Sequence, residues 1–169
     1  IGVQDGSELP PTYDWPADRV VFVIAGGLDA LVRSIEGAED NEAAGAQAIA
    51  DAKIGADDVV IGVAASGTTP YVWGALEEAA VRDATTVLVT SNPRWGEVAR
   101  VDQREMIDFA IVVPVGPEII AGSSRLKAGT ATKLVLNMVS TASMIRWGKV
   151  YDNLMVDLTP VNTKLRRRA

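Results

Sequence analysis

The chain has no cysteine and no histidine. The first absence excludes disulfides, thiol nucleophiles and cysteine metal sites. The second removes histidine general bases, histidine-containing triads and most zinc sites. Acid–base chemistry is left to Asp, Glu, Lys or Tyr. Aromatic residues make up only 5% of the 169 residues. No apolar run reaches the length of a membrane span. No signal-peptide pattern opens the chain, so a cytoplasmic setting is the default expectation. Basic residues are also in deficit: the formal charge is −6, which speaks against a nucleic-acid surface. The run Lys164-Leu-Arg-Arg-Arg168 is basic, and reads as a helix end complementing its dipole.

What is present is an ample hydrophobic fraction of 48% and a length suited to one domain over residues 1–169. Ile1 is not an initiator methionine, and the opening lacks a helix or strand lead-in. The chain reads as a piece of a longer one.

Apolar runs closed by small residues predict strands at Val20–Ile24, Val59–Ala64, Thr85–Thr90 and Phe109–Val113. Helical spacing predicts helices over 28–36, 40–53, 70–82 and 123–147. In the first, Leu28, Leu31, Val32 and Ile35 share a face. In the last, Leu126, Leu134, Met138, Thr141 and Ile145 do, and Gly148 ends it. Asp40 reads as the N-cap of the second. Residues 96–103 read as a short helix or irregular chain, and a further short helix is expected from near Asn153 or Thr159. Strands alternate with helices, and the strands are continuous apolar runs. Both features indicate an α/β class fold, a three-layer α/β/α sandwich on a parallel sheet. Ligands of such sheets sit beyond the carboxyl ends of the strands.

At one of those ends stands Ala64-Ala-Ser66-Gly67-Thr68-Thr69-Pro70-Tyr71. A buried strand, a tight loop and a helix N-terminus gather backbone N–H groups and the positive end of a helix dipole. Such a corner holds an anion, phosphate first, without a lysine. Equally, it reads as an ordinary turn with Thr69 as N-cap.

Three acidic or mixed clusters accompany it. Glu8 precedes Pro10-Pro11, which restrict the chain and fix its direction; a solvated loop acid is the alternative. Glu36, Glu39 and Asp40 lie within five residues, some of them serving a helix start. Two carboxylates in different environments can divide acid and base roles. Finally Glu118 is followed by Ser123, Ser124, Arg125 and Lys127 at the start of the long helix. Cations there oppose the dipole, so an anion is expected close by: a ligand, or Glu118 itself.

The residues then carry a resemblance. Asp5-Gly-Ser-Glu8-Leu-Pro-Pro-Thr12, Glu36-Gly-Ala-Glu39-Asp40, Ala64–Tyr71, Gly122-Ser-Ser-Arg-Leu-Lys-Ala-Gly-Thr130, Lys133-Leu-Val-Leu-Asn137-Met and Gly148–Asp157 occur in order along nearly the whole chain. Together they resemble the N-acetylmuramic acid 6-phosphate etherases. The resemblance implies a sugar isomerase (SIS) fold, a homodimer and an amino-sugar phosphate substrate. It implies a carbon–oxygen lyase that releases D-lactate and N-acetylglucosamine 6-phosphate by elimination and hydration, in cell-wall sugar recycling. By position Glu39 matches the base and Glu8 the acid. Ser66, Gly67, Thr68, Thr69, Ser123, Ser124, Lys127 and Glu36 match substrate-binding positions, with no metal or cofactor required. The chain departs at Leu9, usually Cys, at Thr68, usually Arg, and over 92–102. The family's strand and phosphate loop before Ile1 and its helical region after Ala169 are not in this sequence. A phosphosugar-binding regulatory domain, such as that of glucokinase regulatory protein, is the other reading, and an aldose–ketose isomerase a third; the paired glutamates favour the lyase.

Overall fold

The structure, a computed structural model, describes residues 1–158, Pro160 and residues 163–166. In chain order the helices and strands are α1 (Gly2–Gly6), α2 (Leu9–Tyr13), α3 (Glu42–Asp51), β1 (Val59–Val63), α4 (Pro70–Val81), β2 (Thr85–Thr90), α5 (Trp95–Val98), α6 (Val101–Glu105), β3 (Phe109–Val112), α7 (Lys127–Arg146), β4 (Val150–Tyr151), β5 (Leu154–Met155) and α8 (Thr163–Arg166). The chain divides into two compact units: Ile1–Phe22 with Lys133–Ala169, and Val23–Thr132.

The second unit carries the sheet. β1, β2 and β3 pair in parallel in that order, with Ile61 opposite Val87 and Val87 opposite Phe109. This is the α/β architecture that the alternation of segments predicts. β2 is central and buried from Thr86 to Thr90. β1 has one ladder only, so Val59, Ile61 and Val63 are exposed and its expected burial on both faces is not found. Its other side faces α4: a Cβ on Gly62 would lie 2.7 Å from Leu76 and 2.9 Å from Val72. α3 crosses α4 where two glycines let the backbones meet. A Cβ on Gly45 would come within 2.0 Å of the Tyr71 carbonyl oxygen, and one on Gly74 within 2.0 Å of that of Glu42. Ile49, Ala75, Ala79 and Ala84 fill the crossing, with Val23, Ile54 and Val60 beside them. At the sheet's far end the buried Thr86 hydroxyl donates to the Met106 carbonyl (2.6 Å) and accepts from the Asp108 N–H (3.0 Å).

Several expected elements are corrected. Val20–Ile24 forms no strand, because extended chain becomes a strand only with a pairing partner, and these residues enter no ladder. Residues 28–36 form one 3-10 turn, Leu28–Leu31, with Leu28, Leu31, Val32 and Ile35 all exposed. The cap of α3 is Asn41, whose side chain accepts from the Ala44 N–H at 2.9 Å, not Asp40, which closes a 3-10 turn. Ser123 belongs to no element, Ser124–Leu126 are turn residues, and α7 starts at Lys127. Its apolar row Leu126, Leu134, Met138 and Ile145 is exposed, while Ala128, Thr132, Val135, Leu136 and Met144 are buried. The helix carries two rows at helical spacing, and periodicity does not say which turns inward.

In the first unit, α7 ends in a left-handed glycine, Gly148 (φ 82°), with the Lys149 N–H returning to the Met144 carbonyl. Trp15 stacks edge-on against Trp147 at 4.8 Å, and Arg19 lies over the Trp15 ring. Asn153 lies in the β4–β5 hairpin, not in a helix. Thr159 and the basic tip Arg167-Arg168 lie outside the described residues.

Candidate functional site

The β1–α4 corner is built as the sequence suggests. Gly67 takes φ +72°, and a Cβ there would meet Trp95 at 3.0 Å and the Thr90 hydroxyl at 3.1 Å. Only glycine suits both the conformation and the space. Pro70 opens α4 at a position where its missing N–H costs nothing. Thr69 is the N-cap residue, yet its hydroxyl makes no capping bond, so the turn is not closed by its own cap. Ser66 and Thr68 are exposed, and the Ser66 oxygen accepts from both the Thr68 N–H (3.2 Å) and its hydroxyl (3.0 Å). The Ser66 proton is therefore left to donate.

The carbonyls of Ala65, Ser66 and Gly67 are each taken by a donor. The Ala65 oxygen accepts from the Thr90 hydroxyl (3.2 Å) and the Ser91 N–H (3.1 Å). The Ser66 oxygen of the main chain accepts from the Asn92 side chain at 2.8 Å. The Gly67 carbonyl accepts from the buried Trp73 indole at 3.0 Å. Thr90, Asn92 and Trp73 are not among the candidates that the sequence suggests. Asn92 and Thr90 close β2, a position where site residues are expected, but Trp73 sits inside a helix and gives no signal.

The second acidic cluster is carried partly by the 3-10 turn Ala38–Asp40, which contacts α4. Glu36 and Glu39 are exposed. Gly37 between them has φ +71°. The α3–α4 crossing fixes this neighbourhood, since α3 begins directly after the turn.

At the start of α7 the expected anion is Glu118. Its carboxylate accepts from the main-chain N–H groups of Lys127 (3.0 Å) and Ala128 (2.9 Å). These bonds, that from Ala128 foremost, hold the Glu118 carboxyl below the usual range, with the Lys127 charge assisting. The partner of Glu118 is thus the helix terminus, not a cation side chain. Ser124 lies in the turn just before α7 and Ser123 precedes that turn, while the Lys127 ammonium lies near Gly116. Glu8, in the first unit, is the exposed N-cap residue of α2, its carboxylate uninvolved in capping. It is described within that unit only. Tyr71, at the head of α4, donates to the Ile24 carbonyl (3.3 Å), and burial pushes its hydroxyl up.

The parallel sheet with its flanking helices is an SIS-type α/β fold. Residues 8–80 match the family described as the glucokinase regulatory protein N-terminal SIS domain. Over all 169 residues the chain is 55% identical to an N-acetylmuramic acid 6-phosphate etherase of Mesorhizobium japonicum, covering 53% of that protein. It is likewise 55% identical to one of Symbiobacterium thermophilum, covering 54%, and 51% identical to one of Deinococcus radiodurans, covering 53%. Along its whole length the chain is thus similar to N-acetylmuramic acid 6-phosphate etherases, and it spans about half the length of the curated relatives it matches.

Proposed function

We propose that the protein carrying this chain cleaves the D-lactyl ether of N-acetylmuramic acid 6-phosphate, yielding N-acetylglucosamine 6-phosphate and D-lactate. The observation that carries this reading is identity of 55% along the whole chain to proteins of that name. In the proposed reaction a carboxylate removes the C2 proton beside the aldehyde of the opened sugar. A carboxylic acid protonates the ether oxygen as its bond to C3 breaks and lactate leaves. Water then adds across the C2–C3 double bond. Glu39 is the proposed base and Glu8 the proposed acid, which suits a chain without histidine.

The β1–α4 corner supports the anion seat. Its Ala65, Ser66 and Gly67 carbonyls are occupied, Ser66 keeps a proton to donate, and the α4 dipole points the favourable way. Glu118 already occupies the first N–H groups of α7. Phosphate is therefore assigned to Ser66, Gly67, Thr68 and Thr69, and the sugar to Ser123, Ser124, Lys127 and Glu36. The whole of 1–169 is proposed to act as one phosphosugar domain of a cytoplasmic homodimer. No described helix is long and apolar enough to cross a membrane.

The test is D-lactate release from N-acetylmuramic acid 6-phosphate by purified protein containing this entire sequence. Glu39→Gln should abolish release, with Asp40→Asn alongside because the two carboxylates share one turn. Folded wild-type protein that binds the substrate but releases no lactate would replace the lyase by the regulatory reading.

A further inference from the structure

Asp5 lies in α1, three residues before Glu8, and its carboxylate is bound to α7. One oxygen, Oδ1, accepts from the side-chain amide of Asn137 and from the Ser140 hydroxyl (3.2 Å). Both donors are neutral, and the bonds span 132 and 135 residues of sequence. α1 has only five residues, far too few to hold a helix in water alone. Tertiary contacts must therefore fix it, and Asp5 makes the polar ones. The next residue, Gly6, is buried under Phe22, where a Cβ would lie 2.6 Å from the ring. The chain is thus clamped at two consecutive residues. From that clamp the Glu8 N–H returns to the Asp5 carbonyl (3.1 Å), and Pro10 and Pro11 stiffen the chain just beyond Glu8. Glu8 itself spends no side-chain bond on capping, and among the described residues no hydrogen bond or ion pair holds its carboxylate, so this backbone aims it.

We propose that Asp5, held by Asn137 and Ser140, is the positioning residue for Glu8. The inference rests on the reading of Glu8 as the acid that protonates the departing ether oxygen. A misplacement of about 1 Å at such a group lowers its step on the order of 100-fold. The C2 proton abstraction assigned to Glu39 does not use Glu8, so the two steps separate the positioning role from a general structural one.

The experiment measures D-lactate release and, in deuterated water, exchange at C2 of the substrate, for Asp5→Ala, Asp5→Asn and the double variant Asn137→Ala/Ser140→Ala. Asp5→Ala and the double variant are expected to lose release on the order of 100-fold while exchange persists. Asp5→Asn retains most of the release, because its amide oxygen accepts from the same two donors without a charge. On a Glu8→Gln background, Asp5→Ala adds no further loss. Equal loss of release and exchange, with a lowered melting temperature, would show a structural role and overturn the proposal. So would an Asp5→Asn variant as impaired as Asp5→Ala, or an Asp5→Ala variant as active as wild type. The last result leaves the etherase reading standing, whereas wild-type protein without lactate release removes the ground of both.

Discussion

Replacing Gly74 by alanine sets two effects of opposite sign against each other. In an exposed helix interior the change stabilises by about 1 kcal/mol, since glycine is the poorer helix former. Gly74 is not exposed: it faces α3, where a Cβ would lie 2.0 Å from the Glu42 carbonyl oxygen. Real Cβ atoms essentially never come within 3.0 Å, so the helices must part by about 1 Å. The obstacle is main chain on both sides, and no rotamer change relieves it. Parting the helices also loosens the cluster of Ile49, Ala75, Ala79 and Ala84. Overpacking of this kind costs about 1–3 kcal/mol, and more where the backbone resists. Net of the helix-propensity gain, Gly74→Ala should destabilise by roughly 1–2 kcal/mol. Gly45→Ala should do the same against the Tyr71 carbonyl. The double variant should cost less than the sum, because the first substitution opens the crossing for the second. Urea midpoints at unchanged m read the effect. A higher midpoint for either single variant, or strict additivity in the double, would refute this account of the crossing.

Other perturbations have equally definite signs. Thr86→Val removes the bonds to the half-buried Met106 carbonyl and the exposed Asp108 N–H, and should cost about 1 kcal/mol by urea unfolding. Trp73→Phe removes the donor on the Gly67 carbonyl; it should raise the substrate KM more than it lowers kcat, because it loosens the anion loop. Glu118→Gln should weaken stability near neutrality only. The folded Glu118 carboxyl is depressed, so its contribution is complete above the ordinary carboxylate value of 4.5 and is lost as pH falls through the lower folded value. Wild type and variant should therefore converge in urea midpoint at strongly acid pH, and a constant difference across the range would rule out the cap as its source.

The sequence shows most where local chemistry and tertiary demand coincide. β2 carries the apolar run Val87-Leu88-Val89 between threonines because it is central to the sheet, and α4 opens at Pro70 because proline suits a first helical position. It misleads where the outcome depends on a partner elsewhere. Val20–Ile24 has the composition of a strand and no ladder to join. Leu134, Met138 and Ile145 make as good an inward row as Val135, Leu136 and Met144, and only the packing decides between them. Asp40 and Asn41 are both good caps, and a one-residue difference in where the 3-10 turn gives way to α3 selects the second. At the site, Ser66, Gly67 and Thr68 are legible as a loop between strand and helix. The role of Glu118 is legible only as one of two alternatives, because an acid facing a helix start and an acid facing a lysine leave the same trace in sequence.

In the proposed anion corner, acceptors removed matter more than donors supplied. A tight loop exposes carbonyl oxygens as well as N–H groups, and an unpartnered carbonyl at its mouth would repel phosphate. Here three consecutive carbonyls, from Ala65 to Gly67, are each bound by a donor from another segment: Thr90 and Ser91, Asn92, and Trp73. The Ser66 hydroxyl oxygen is likewise occupied by Thr68, which leaves its proton outward. Thr68 brings no cationic side chain to the loop. Neutral donors and the α4 dipole then supply the attraction, and they act at short range. Such a corner should discriminate by geometry more than by charge, because a neutral donor set gains little from an anion that cannot reach it.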